Sequence, residues 1–168
     1  MELKKDTLYI SFHKPKGLVG HLIAGWTLGK YSHVEFIYND EVILANPGGV
    51  RRQSYAYKTN YDIFELDNHI EATDILEFFE EVKGAGYDYK GILGSQFLWF
   101  LNSHDDKKYF CSEFCLNAID YALQFSLTYN FKELKYKGYH KFSPVRLHKY
   151  LKDMELIKEV REWEILMN

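Results

Sequence analysis

Between Thr7 and Leu66 the chain repeatedly alternates short β-forming runs with turn signals, and it never does so again afterwards. Thr7–Phe12, Ser32–Tyr38, Glu41–Ala45, Val50–Tyr55 and Tyr61–Leu66 are rich in β-branched and aromatic residues. Asn39-Asp40 and Pro47-Gly48-Gly49 separate three of them at hairpin spacing. This pattern predicts an antiparallel meander. Leu18–Leu28, ending before Gly29, has helical spacing and interrupts it.

The second half is helical in period. Glu71–Lys83 is amphipathic and stops at Gly84-Ala85-Gly86. Asp88 can cap a helix running to Phe100, and the loop at 102–108 is polar. Cys111–Phe125 carries apolar residues at 114, 118, 119, 122 and 125, the spacing of a buried helix face. Ser143-Pro144 opens a last helix to about Lys152. Strands first and helices later predict an α+β fold. The 168 residues suit a single domain, 1–168, with no linker or repeat dividing it.

Composition narrows the function classes. The net charge of -3 provides no broad basic field, so no nucleic acid is expected as partner. Two cysteines four residues apart exclude a disulfide framework and suggest a reducing compartment. The N-terminus has lysines but no apolar signal run behind them, and Ile92–Leu101 is half a membrane span. The expectation is a cytoplasmic protein, or one released by a route that uses no cleaved signal, with no transmembrane segment.

Cys111 stands where a polar loop becomes an apolar helix. Helix N-termini favour thiolates and can hold oxyanions, although a free cysteine in such a place is also an ordinary core residue. His33 lies in a strand, whose neighbours would hold its backbone as rigidly as a base requires. His13 and His148, by contrast, read as loop or charged-face residues. Glu35, two residues from His33, shares its strand face and could orient the imidazole. Asn46, at the end of the next strand, is the competing orienter. Tyr109 and Ser112 flank the cysteine and are supporting candidates, while Cys115 lies one helical turn below it in the core. Arg51-Arg52 could clamp an anion, but alternation on an outer strand face explains them more simply.

His33-x-Glu35 with Cys111 and Cys115 is also compared with zinc deaminases. The C-x3-C spacing and Phe110 in place of proline depart from that pattern, so no metal is expected.

Tyr31-Ser32-His33-Val34-Glu35, Gly48-Gly49-Val50-Arg51, Gly86-Tyr87-Asp88 and Tyr109-Phe110-Cys111-Ser112-Glu113 occur in that order. The series resembles the circularly permuted papain-like hydrolases of the NlpC type, relatives of the lecithin retinol acyltransferase fold, including phage and bacterial members. The similarity spans about residues 7–150. It implies an antiparallel sheet packed on a nucleophile-bearing helix, with Cys111 as nucleophile and His33 as base, and no cofactor. Relatives often carry a polar residue before the alanine of the following strand. Here Leu44 precedes Ala45, which leaves Glu35 or Asn46 for the third role. The resemblance implies a thiol hydrolase of an amide or ester in a peptide, cell-wall or acylated substrate. The alternative is a non-catalytic binding or virion-associated module that retains the fold.

Overall fold

A computed structural model describes residues 3–16, 30–87, 108–124 and 142–160. Its centre is a six-stranded antiparallel sheet, ordered β4-β3-β2-β1-β5-β8. The strands are β1 (Tyr9–His13), β2 (His33–Tyr38), β3 (Glu41–Asn46), β4 (Gly49–Ser54), β5 (Tyr61–Leu66) and β8 (Ile157–Glu159). A two-stranded parallel pair joins β6 (Gly86–Tyr87) to β7 (Lys108–Tyr109). Three helices complete the described chain: α1 (Ala72–Val82), α2 (Cys111–Gln124) and α3 (Pro144–Asp153). The architecture is therefore α+β. The helices expected over 18–28 and 88–100 lie outside the described residues.

β1 to β4 form the expected meander. Asn39 and Asp40 both adopt positive φ, the backbone of a tight β2–β3 hairpin turn. The meander does not extend to β5, however. After β4 the chain crosses over and pairs β5 with the free side of β1, His13 opposite Tyr61 and Tyr9 opposite Glu65. β1 thus becomes a central strand.

Alternation assigns each strand residue to one of two faces. Ile10, Phe12, Val34, Phe36, Ile43, Ala45 and Phe64 join the main core with Phe114, Ile119 and Leu147 of the helices. Tyr9, Ile37, Tyr61 and Ile63 form a smaller cluster on the opposite face, covered by Leu3, Tyr55 and Val160. α2 packs on β2 and β3, and α1 packs on α2. Tyr31, fully buried, anchors the entry to β2: its hydroxyl donates to Asp62 at 2.7 Å, and its ring meets Phe12 and His148. His148 is accordingly a half-buried packing residue of α3, not a residue of a charged face.

The outer edge of β4 is partly occupied by its own chain. Gly84 N donates to Val50 O at 2.9 Å, and Val50 N donates to Ala85 O at 3.0 Å. Gly49 adopts a φ of +85° there, and a Cβ would stand 2.6 Å from Ala85 O, so the close approach requires glycine.

Candidate active site

Cys111 is the first residue of α2, as the polar-to-apolar switch predicts. The helix start is secured locally. Glu113 turns back to accept from the Phe110 amide at 3.5 Å, the half of a capping box that an acid at the third helical position supplies. Ser112, buried, donates to Phe142 O at 2.6 Å and ties the first turn to the segment that enters α3. Ser143 caps α3 by accepting from Arg146 N at 3.3 Å, with Pro144 following it. The helix that carries the thiol is thus fixed at its N-terminus from two sides.

His33 opens β2 and faces away from the main core, while Cys111 belongs to that core. The β2–β3 pairing covers Phe36–Ile43 to Tyr38–Glu41 and goes no further toward His33. Cys111 stands near enough to His33 for its sulfur to act electrostatically on the imidazole. His33 is partly open to solvent, with 22% of its side chain exposed, whereas Cys111 is 4% exposed.

Glu35 folds back along its own strand. Its Oε2 lies 3.3 Å from His33 Nε2, and its Oε1 lies 2.9 Å from His13 Nε2. Lys58 Nζ stands 3.9 Å from Oε1. Burial alone would raise the Glu35 carboxyl, but hydrogen bonds from His13 and His33 outweigh it and hold the group well below the usual carboxylate range. Burial would likewise lower His33. The Cys111 sulfur and the Glu35 carboxylate oppose it and push His33 up to about 10. The sulfur and the carboxylate beside it thus favour the protonated form of His33. Burial pushes the Cys115 thiol well up, with Cys111 and Glu35 adding to the effect, so Cys115 stays a neutral core residue.

Asn46 is occupied elsewhere. Its Oδ1 accepts from Gly48 N at 2.9 Å and from Arg51 Nη1, within the β3–β4 turn. Tyr109, expected at the cleft, packs its ring on Phe78 and Phe114. Arg52 lies over the Phe79 ring with Glu41 and Glu80 each at 3.4 Å, a surface brace and not an anion clamp. Among the described residues, no group of three or more His, Cys, Asp and Glu side chains is arranged to hold a metal ion. Among the same residues, no helix is long and apolar enough to cross a membrane.

The sequence reading missed His13. It is the last residue of β1, buried, and directly opposite His33 in the strand register. Ending the strand at Phe12 removed it from consideration. Extending the alternation of Tyr9 and Ser11 by one step would have put it on the face of His33 and Glu35.

Compared with protein-family models and with curated proteins, the sequence matches none.

Proposed function

We propose that the chain is a thiol hydrolase of amide or ester bonds, with Cys111 as nucleophile, His33 as base and acid, and Glu35 as the residue that orients His33. The observation that carries this reading is a helix-first cysteine close to an imidazole that a buried carboxylate holds. The arrangement fits a permuted papain-like fold, in which the histidine strand precedes the nucleophile helix.

The proposed chemistry follows from these positions. In the reactive form the thiol proton already rests on His33, and the thiolate attacks the substrate carbonyl carbon while the carbonyl π pair moves to oxygen. The amides of the first turn of α2 have no partners within the helix and can face that oxyanion. As the tetrahedral species collapses, His33 protonates the departing amine or alkoxide. A water molecule then gives a proton to His33 and its oxygen to the thioester carbon, and collapse releases the acid and leaves the thiolate beside protonated His33. Glu35 stabilises the imidazolium at each stage by accepting from it. Peptide, cell-wall and acylated substrates all present the required carbonyl.

Alkylation tests the reading without a known substrate. At pH 6, Cys111 should react with iodoacetamide at least about tenfold faster than a free cysteine thiol, as peptide mass spectrometry would show. His33→Ala should remove the advantage. A Cys111 no faster than a free thiol at that pH refutes the proposal, and leaves the fold as a binding module.

A further inference from the structure

We propose that His13 is a positioning residue of this site: by holding Oε1 of Glu35 it directs Oε2 to His33, and so sets the imidazole against Cys111. The inference rests on the thiol-hydrolase reading above.

Four side chains form a square on one face of two paired strands. Ser11 lies opposite Glu35 and His13 opposite His33, and residues two apart on a strand share a face. All four residues but His33 are buried. His13 Nε2 is 2.9 Å from Glu35 Oε1 and 3.3 Å from Ser11 Oγ. Its ring stacks on Tyr61 at 4.8 Å and 14°, and stands edge-on to His33 at 5.1 Å and 87°. The stack and the two polar contacts leave the ring little freedom. Glu35 has more, because its terminal torsion is broad and its backbone places it one strand step from His33. Something must stop the carboxylate from turning toward Lys58, the cation 3.9 Å from Oε1. A donor fixed on that same oxygen does so.

The groups facing His13 are Glu35 and His33 from β2, Tyr61 from β5, Lys58 from the segment before β5, and Ser11 on its own strand. Burial, His33 and Lys58 all disfavour charge on His13, and only Glu35 favours it; the balance lowers it. A neutral His13 has one N–H, and the geometry assigns it to Nε2, donating to Glu35. The two imidazoles around one carboxylate are then unequal. His33 carries the charge, and His13 holds the hinge.

The pH profile of Cys111 alkylation separates positioning from mere packing. His13→Leu should slow alkylation at pH 6 about tenfold by moving the profile up about one pH unit. His13→Gln, which keeps an N–H donor, should recover most of the rate. A folded His13→Leu with the wild-type profile overturns the inference while leaving the hydrolase reading in place, provided His33→Ala has its full effect. A wild-type Cys111 that behaves as an ordinary thiol overturns both. If His13→Leu does not fold, ring 15N NMR on the wild-type protein at pH 7 decides: a neutral His13 protonated on Nε2 is the expected state. A charged His13, or a proton on Nδ1, refutes it.

Discussion

Replacing Glu35 by glutamine changes few atoms and removes one charge, so its effect can be reasoned from the site. Two imidazole nitrogens lie 2.9 and 3.3 Å from the two carboxylate oxygens. An amide has one oxygen, so one imidazole N–H would face an N–H₂ group instead of an acceptor. A hydrogen bond to a charged group contributes about 1.5–3 kcal/mol. At 1.36 kcal/mol per decade, losing the one that steadies His33 predicts roughly a 10- to 150-fold fall in turnover of an activated ester. The residue is 3% exposed, so stability falls too, by about 2 kcal/mol for an unsatisfied buried donor. In a chain of this size that lowers Tm by about 4–8 °C. The pH dependence has a definite sign. The carboxylate raises His33, so its loss should bring the alkaline limit of activity down from about pH 10. The depressed Glu35 carboxyl contributes stability that is present above its ordinary value of 4.5 and is lost as pH falls through its lower folded value. The stability gap between wild type and Glu35→Gln should therefore close in acid. Ester turnover, calorimetry and urea unfolding at several pH values check these outcomes. A Glu35→Gln protein with wild-type turnover and an unmoved alkaline limit would show that Glu35 does not orient His33.

Asn46→Ala should cost about 1–2 kcal/mol in urea unfolding, because it strips the β3–β4 turn of its acceptor, and should leave Cys111 alkylation unchanged; the reverse ranking of Asn46 and Glu35 would pass the orienting role to Asn46. Ser112→Ala should lower Tm by a few degrees through its lost bond to Phe142 O, with the alkylation profile held; a shifted profile would place the hydroxyl in the site.

Local signals were legible where the physics is local. Tyr61–Leu66 was bounded to the residue, because turn residues flank an alternating run. The start of α2 at Cys111 and the Ser143-Pro144 cap of α3 were equally readable, since helix ends depend on a few adjacent side chains. Pairing was harder. Nothing in residues 61–66 says that their partner is β1 and not β4, because that choice is made by burial of Phe64 and Leu66 against helices far along the chain. β8, three residues long, carries too little pattern to be seen. In the site, the motif order brought out Cys111 and His33, and the face rule brought out Glu35. His13 was lost to a boundary one residue short, just ahead of Lys14-Pro15, where the sequence signals a break.

The two ends of the sheet bear on how the protein behaves at high concentration. An unpaired strand edge is a template on which a second chain can add its own strand, the first step of aggregation. Here the edge beyond β4 has its Val50 amide and carbonyl already engaged by residues 84 and 85, and only because Gly49 lets the two backbones touch. The edge beyond β5 ends in β8, which is short and carries Lys158 and Glu159. Among the described residues, neither margin offers a long, flat, apolar row to an incoming strand. The guard on β4 is the weaker one, since it is held by the turn that follows α1. Any opening that lifts residues 84–85 would bare a strand whose pairing groups are intact, and would turn a local loosening into intermolecular association.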